Sequence, residues 1–379
     1  MIYFDAGATT LEKPAAVRAA MTEAVATMSS PGRGGYPATR KAEETAFACR
    51  NEATELFGVD SPEKVVFTSN ATHALNIAIH SLVKPGSRVA ISGYEHNSVL
   101  RPLHAVDNVE LTVVDTPLFE PRMALEEFRQ VLQRGADVVV CTHVSNVFGY
   151  ILPVEEIAEE CRRSGVPLIL DASQSAGVLP VRMDALQPAF IAMPGHKGLY
   201  GPQGTGLLLC GDRPVKPLLS GGTGSVSRLR RMPEDLPDRL EAGTHNMPGI
   251  AGLLEGLRFI RRTGLERVAR QEREVVAAAA RYLREIPQVR LYADTEFANQ
   301  TGVLSFTVQG MDCETVGALL ADRGIAVRAG LHCAPLAHKT AKTLETGTIR
   351  ISTSVFNNAE QAEVFARELG RIIRENARF

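Results

Sequence analysis

A chain of 379 residues with 45% hydrophobic and 22% charged residues has the composition of an ordinary globular protein, and its length suggests two or three domains. The formal net charge of −2 excludes a global attraction to nucleic acid or to an anionic membrane. The sequence shows neither a secretory signal nor an apolar run of the ~18 residues that span a bilayer, so we expect a cytoplasmic protein without a membrane partner.

Short apolar segments alternate with helical patterns over the first 250 residues. These segments are continuously apolar, which predicts strands buried on both faces in a mostly parallel sheet covered by helices. Polar residues at the carboxyl ends of such strands are candidates for chemistry, because ligands bind there. The predicted strands are 65–68, 88–92, 111–115, 136–142, 167–171, 190–193 and 206–210, and the predicted helices include 72–83, 124–134 and 154–164.

Beyond residue 250 the pattern changes to two long helices followed by a smaller region. We predict an α/β fold in which a large domain, residues 15–250, carries a mostly parallel seven-stranded sheet. Residues 1–14 and 251–379 are predicted to form a smaller α+β domain. Its predicted elements are helices 250–263 and 265–286, strands 303–308, 326–328 and 348–352, and a closing helix from Ala359; two Gly- and Pro-rich stretches, 32–37 and 220–231, are predicted loops.

The six cysteines form no Cys-x-x-Cys pair and no zinc-finger spacing, so we predict free thiols and no metal site. Several of them lie in apolar runs, where a small buried side chain is expected. Cys333 differs, because Gly330, His332 and Pro335 surround it in no periodic pattern. It is therefore the cysteine to consider for chemistry.

Lys197 lies just past a predicted strand, in the segment Met-Pro-Gly-His-Lys-Gly-Leu-Tyr at 193–200. A lysine is costly to bury because desolvation disfavours its charge, unless the amine has a use such as a Schiff base with an aldehyde cofactor. The alternative is a lysine in a surface loop.

Asp171 ends the strand 167–171, where a carboxylate could hold the proton on the ring nitrogen of pyridoxal phosphate or, alternatively, cap the next helix. Ser69 and Thr72 begin a helix whose N–H groups would suit a phosphate, although many helix starts look similar.

Together these segments resemble the class V aminotransferase family of pyridoxal-phosphate enzymes, specifically the cysteine desulfurases and selenocysteine lyases, from Tyr3 to the final helix. The resemblance implies the pyridoxal-phosphate-dependent transferase fold, fold type I. It implies that Lys197 carries the cofactor and that Asp171 pairs with the ring nitrogen. The other cofactor-binding residues that it implies are His96 stacked on the ring and acting in catalysis, Asn146 and Gln174 near the phenolic oxygen, Thr72, His73 and His196 at the phosphate end, and Thr244 across a homodimer interface.

The segment 328–334 resembles the catalytic loop of the members that mobilise sulfur. The resemblance implies that Cys333 attacks the sulfur or selenium of L-cysteine or L-selenocysteine and leaves alanine and a persulfide, with a separate acceptor protein or thiol. Arg350 is implied to bind the substrate carboxylate, a task that suits a planar guanidinium, with Arg328 beside it. His96 or His332 could supply protons.

Two positions depart from the family pattern. Pro194 stands where many relatives carry a phosphate-binding serine, a loss of about 1 kcal/mol on the usual scale for one hydrogen bond. Gly198 looks like an extra residue. The alternatives are another pyridoxal-phosphate reaction that does not use Cys333, such as an aminotransferase, racemase or lyase, and a non-catalytic scaffold in a sulfur-carrier assembly.

Overall fold

A computed structural model describes residues 1–32 and 34–376, so Arg33 of the predicted loop 32–37 lies outside the described residues. Within these ranges no helix is both long enough and apolar enough to cross a membrane. The strands are β1 (Ile2–Tyr3), β2 (Val65–Thr68), β3 (Arg88–Ser92), β4 (Glu110–Val114), β5 (Val138–Thr142), β6 (Leu168–Asp171), β7 (Phe190–Pro194), β8 (Gly206–Cys210), β9 (Val289–Tyr292), β10 (Val303–Val308), β11 (Ile325–Ala326), β12 (Arg328–Gly330) and β13 (Thr348–Ser352). The helices are α1 (Ala15–Thr27), α2 (Pro37–Phe57), α3 (Ala71–Leu82), α4 (Asn97–His104), α5 (Pro121–Gln133), α6 (Val154–Arg163), α7 (Met183–Leu186), α8 (Met247–Thr263), α9 (Leu265–Leu283), α10 (Cys313–Asp322), α11 (Pro335–Thr340) and α12 (Ala359–Asn376).

The main sheet has seven strands, as predicted, and their order is β2-β8-β7-β6-β5-β3-β4. Strands β3 to β7 run parallel, and β8 runs antiparallel to its neighbours β7 and β2. The carboxyl ends of β2, β3, β5, β6 and β7 therefore meet at one edge of the sheet. The mostly parallel sheet of the predicted α/β fold is confirmed.

Both faces of this sheet are covered, which explains the continuous apolar runs. Successive side chains of a strand point to opposite faces. Val138 and Val140 pack with the apolar face of α3. Val139 and Cys141 belong to the core on the other face, together with side chains of α5 and α6.

The second region contains an antiparallel sheet in the order β12-β13-β10-β9 and a parallel pair of β1 with β11. The predicted strand 326–328 is thus two strands in two sheets. Phe4, Phe306 and Phe365 lie in the core that α9, α10 and α12 share with these strands. Helix α8 packs against α1 and α2, and its Leu253 joins the core of the seven-stranded sheet. The predicted division at residue 250 stays a prediction.

The first ten residues connect the two regions. The main chain of Phe4 donates to Ala326 O and accepts from Ser352 N–H, which places the segment against the small sheets. A few residues later, Thr10 N–H donates to His196 O at 3.1 Å, beside the large sheet. Asp5 is thereby held at the junction.

Candidate active site

The predicted site residues come from several strands that end at the same edge of the large sheet. Asp171 is the last residue of β6, and Lys197 follows β7 by three residues. His96 is the N-cap of α4 after β3, and Asn146 follows β5. Because β3, β5, β6 and β7 are parallel, their ends bring these four side chains into one region.

Lys197 is an unusually weak base for a lysine. Burial lowers its pKa to about 8; the charges of Arg350 and Arg328 also lower it, and Asp171 opposes the shift. More of this amine is therefore neutral near neutral pH than of an ordinary lysine. A neutral amine is the form that can attack an aldehyde or accept a proton.

Two buried carboxyl groups lie beneath the site. Asp171 is 2% exposed, and its Oδ1 accepts a hydrogen bond of 2.9 Å from Ser173 N–H. Glu95, to which the sequence assigned no role, is fully buried, and burial raises its pKa to about 8 although Ser92 and Thr142 hydrogen-bond to it. Glu95 is thus largely protonated at neutral pH and adds no second negative charge beside Asp171. Its position next to His96 in the sequence was the signal that could have identified it.

His96 is a neutral ring with a defined tautomer. Its Nδ1 accepts from Ser98 N–H at 3.0 Å, so Nε2 carries the proton. Burial, and then the charge of Lys197, lower its pKa to about 4. The other histidine considered as a proton source, His332, is buried with Nε2 at 3.1 Å from Thr348 Oγ1, and its contacts hold the loop in place.

The Cys333 loop lies between β12 and α11, and the cysteine is exposed. His332 and Cys333 have φ values of +50° and +55°, in the left-handed region that ordinary residues rarely adopt. Two hydrogen bonds hold this strained turn: Asn97 N–H donates to Cys333 O at 2.8 Å, and Asn146 Nδ2 donates to His332 O at 2.9 Å. Cys333 is therefore attached to the start of α4, next to His96.

Arg350 and Arg328 share one carboxylate, that of Asp5. Arg350 is 2% exposed; its Nη2 donates to Asp5 Oδ1 at 2.8 Å and its Nη1 donates to Asn146 O at 2.8 Å. Arg328 donates to Asp5 through Nε at 3.1 Å and Nη2 at 2.7 Å. The buried Nε of Arg350 has no hydrogen-bond partner among the described residues. Sequence reasoning assigned Asp5 no role, although it belongs to the amino-terminal segment on which the resemblance rests.

Of the residues predicted at the phosphate end, Thr72 and His73 lie at the start of α3 and Thr244 lies beside them, whereas His196 is not in this group. Ser69, His73 and Thr244 line a cavity of about 370 Å³ within this one chain. His73 Nδ1 accepts from Ser69 N–H at 3.3 Å, which leaves its Nε2 as a donor. Thr72 is exposed on the first turn of α3 and is not among the residues that line this cavity. The predicted action of Thr244 across a dimer interface stays a prediction.

Gln174 and His196 are tied to the amino-terminal segment. Gln174 Nε2 donates to Gly7 O at 3.0 Å, and the main-chain oxygen of His196 accepts from Thr10 N–H. The His196 ring is neutral, because burial and the charge of Lys197 lower its pKa to about 4.

A larger cavity of about 570 Å³, lined by Cys161 and Arg162 among others, lies at the opposite edge of the sheet. None of the predicted site residues lines it.

The donor set fits pyridoxal phosphate. An amine with lowered pKa, a buried carboxylate and a helix start are the groups that an aldehyde, a pyridine nitrogen and a phosphate require. Several further side-chain atoms at this edge are buried without a hydrogen-bond partner among the described residues, and they include Asn146 Oδ1, His143 Nδ1 and His196 Nδ1. His143, to which no role was assigned from the sequence, is fully buried, and burial lowers its pKa to about 4. Lys197, Asp171 and the start of α3 would hold the cofactor.

This fold and this set of groups define a pyridoxal-phosphate-dependent enzyme of fold type I. The chain belongs to the aminotransferase class-V family, whose sequence profile matches residues 2–365, and this family is pyridoxal-phosphate dependent. The solved apo structure of a cysteine desulfurase from Thermococcus onnurineus superimposes with a TM-score of 0.91 at 32% identity, covering 99% of this chain and 95% of that one.

Curated relatives carry the same description. A probable cysteine desulfurase from Pyrococcus abyssi is 30% identical over 99% of this chain and 94% of its own length. A probable cysteine desulfurase from Mycolicibacterium paratuberculosis is 31% identical over 98% of this chain. This chain spans only 55% of that longer relative. Several relatives at about 30% identity are thus cysteine desulfurases.

Proposed function

We propose that this protein is a pyridoxal-phosphate-dependent cysteine desulfurase that converts L-cysteine to L-alanine and keeps the sulfur as a persulfide on Cys333. The observation that carries the proposal is the position of the exposed Cys333. Its main chain is hydrogen-bonded to Asn97 at the sheet edge that also presents Lys197 and Asp171. The relatives described as cysteine desulfurases support the same activity.

The groups around Lys197 suit removal of the α-proton of an amino acid. Pyridoxal phosphate, when bound, supplies an electron sink for charge that develops at the α-carbon. Asp171 would keep the proton on the pyridine nitrogen. Lys197, with its pKa lowered to about 8, accepts the α-proton as a base and can return it. Arg350 orients the substrate through its carboxylate, using the buried Nε that has no hydrogen-bond partner among the described residues.

Cys333 acts on the side chain of the same substrate. Its thiolate attacks the substrate sulfur, so a sulfur–sulfur bond forms while the carbon–sulfur bond breaks, and the electron pair of that bond stays with the carbon. Protonation of this carbon, for which His96 Nε2–H is a candidate donor, completes alanine.

The exposure of Cys333 determines which molecules can take the sulfur from it. An exposed persulfide can be reached by a thiol or by an acceptor protein, and we propose such an acceptor as the partner. L-selenocysteine is the alternative substrate, because the same attack on selenium leaves the same alanine. We also propose that the protein acts as a homodimer in which Thr244 completes the phosphate site.

The test measures alanine released from L-cysteine and from L-selenocysteine, with and without an added thiol, by the wild type, Cys333→Ala, Lys197→Ala and the matched control Cys313→Ala. Cys333→Ala should lower alanine release from L-cysteine by at least about 100-fold, because the nucleophile is lost. Cys313→Ala should keep most of the activity. Mass spectrometry should find one extra sulfur on Cys333 in the wild type.

Two results would decide against the proposal. Undiminished turnover of both substrates by Cys333→Ala would remove the cysteine from the reaction and favour another pyridoxal-phosphate reaction. Failure of the purified protein to show an absorbance band near ~420 nm with added pyridoxal phosphate would instead favour the non-catalytic scaffold.

A further inference from the structure

A small cavity of about 30 Å³ lies beside Lys197. Lys197 and Glu272 both line it, whereas Asp171, His96 and Cys333 do not. This volume is enough for about one or two water molecules, provided that polar groups surround them. Polar side chains that also line the cavity are those of Thr10, Gln174, Thr301, Ser352 and Thr353. Water in this cavity can therefore contact both Lys197 and Glu272.

The carboxyl group of Glu272 forms part of the cavity wall. A Cβ added to Gly302, another lining residue, would lie 3.0 Å from Glu272 Oε2. Glu272 is 6% exposed, and its main-chain oxygen accepts from Thr353 Oγ1 at 3.1 Å. Its carboxyl oxygens accept no hydrogen bond from the described residues, and burial alone accounts for the shift of its pKa. The carboxyl group is therefore available to a molecule in the cavity.

Glu272 and Lys197 hold their protons with similar strength. Burial raises the pKa of Glu272 to about 8 and lowers the pKa of Lys197 to about 8. A further titratable group beside Glu272 is Tyr200, whose pKa is raised by burial and then by the charge of Glu272, so it stays a neutral phenol. Because the two pKa values are similar, a proton can pass between Glu272 and Lys197 in either direction at little cost.

The cavity also lies close to the protein surface. Val178 lines it and at the same time lines a second cavity of about 490 Å³. The exposed residues Arg270 and Glu274, which flank Glu272 on α9, line this outer cavity. Glu272 therefore stands between the outer cavity and Lys197.

We propose that Glu272 is a proton-relay residue that exchanges hydrogen between Lys197 and the solvent through water in the small cavity. The inference rests on the part of the proposed function in which Lys197 takes the α-proton of the substrate. A hydrogen on Lys197 and a hydrogen on Glu272 change places by way of the water, so only N–H and O–H bonds break and form and no net charge moves. Glu272 then exchanges its hydrogen with the solvent. The α-hydrogen of the substrate is thereby lost to water before Lys197 returns a hydrogen to the carbon.

The experiment follows the α-hydrogen of L-cysteine into alanine formed by the holoenzyme in D₂O, using mass spectrometry and NMR. The variants are Glu272→Gln, Glu272→Asp and a control, Glu274→Gln, which removes an exposed charge from the same helix. Alanine from the wild type and from the control should keep almost none of the α-hydrogen. Alanine from Glu272→Gln should keep it in about a third of the molecules, because the lysine ammonium then carries one hydrogen from the substrate and two from the solvent.

The conservative variant separates a relay from a structural role. Glu272→Asp keeps a carboxyl group, so its share of retained α-hydrogen should lie closer to the wild type than that of Glu272→Gln. A structural role would change the rate of alanine release without changing this share.

Infrared spectra of the apoprotein give a readout that does not depend on activity. Below about pH 8 the wild type should show a carboxylic acid band that Glu272→Gln lacks, and this band should shift when D₂O replaces H₂O. A wild type without the band, or with a band that D₂O does not shift, would overturn the inference.

Equal shares of retained α-hydrogen in the wild type and in folded Glu272→Gln would also overturn it. If that variant does not fold, the wild type decides, since a retained share of about a third in the wild type means that no relay operates. Absence of alanine release from L-cysteine would defeat the proposed function, and the infrared band would then decide on the relay. Alanine release with unchanged shares would defeat only the role of Glu272.

Discussion

Replacing Glu241 with alanine should destabilise the protein far more than a typical glutamate replacement. The Glu241 carboxylate accepts from Arg50 Nη1 at 2.9 Å and Nη2 at 2.7 Å, from Phe67 N–H at 2.6 Å, and lies 2.6 Å from His245 Nε2. The Arg50 guanidinium also lies 4.1 Å from the centre of the Phe67 ring. This single carboxylate joins α2 and β2 to the segment that carries Thr244.

The magnitude follows from burial. Arg50 and Glu241 are each 8% exposed, so Glu241→Ala leaves a buried positive charge without its partner. Breaking a buried pair in this way costs about 3–5 kcal/mol. The matched control is Glu23→Ala, whose partner Lys41 lies with it at the surface; such an exposed pair contributes less than about 1 kcal/mol.

Thermal and urea denaturation of both variants provide the measurement. The pH dependence adds a second test, because burial alone would raise the pKa of Glu241, yet the hydrogen bond from His245 and the charge of Arg50 hold it below the ordinary 4.5. A carboxylate with a lowered folded pKa stabilises the protein above pH 4.5, and this contribution is lost as the pH falls through the folded pKa. Glu241→Ala should therefore lose less stability than the wild type on acidification. A cost no larger than that of Glu23→Ala would refute the argument.

Two further predictions concern the surroundings of Lys197. Glu272 is 6% exposed and burial raises its pKa to about 8, so the folded protein holds a proton that the unfolded chain releases above pH 4.5. The stability of Glu272→Gln relative to the wild type should therefore rise as the pH rises from 4.5 to about 8, and thermal melts across this range measure it. A stability difference that does not vary with pH would contradict this. At Gly198 an added Cβ would lie 2.4 Å from the main-chain oxygen of Ala176, so Gly198→Ala should cost about 1–3 kcal/mol and lower cofactor occupancy. Gly35→Ala is the control, since a Cβ there meets no atom of the described residues within 4 Å. Equal losses of stability in both variants would show that close packing at Gly198 does not limit the stability of the protein.

The secondary structure of the large sheet could be predicted because its strands are buried on both faces. β2, β3 and β8 have the predicted bounds, and α3 and α6 differ from theirs by one residue. Helix α2 was not predicted. Apart from Phe57 at its last position, its buried residues are small side chains together with Arg50 and Glu52, so the hydrophobic period that identifies a helix is weak.

The sequence by itself predicted the fold class. It also predicted that Lys197 and Asp171 lie close together, because Asp171 ends one strand, Lys197 soon follows the next, and the carboxyl ends of parallel strands meet at one edge; their roles towards the cofactor came from the resemblance. Only the tertiary structure decided how Arg328 and Arg350 are used. Their common partner Asp5 is 323 and 345 residues away in sequence, in a segment without periodicity. Local patterns report which face of an element is buried, whereas the charge that remains at a site depends on which distant segments meet there.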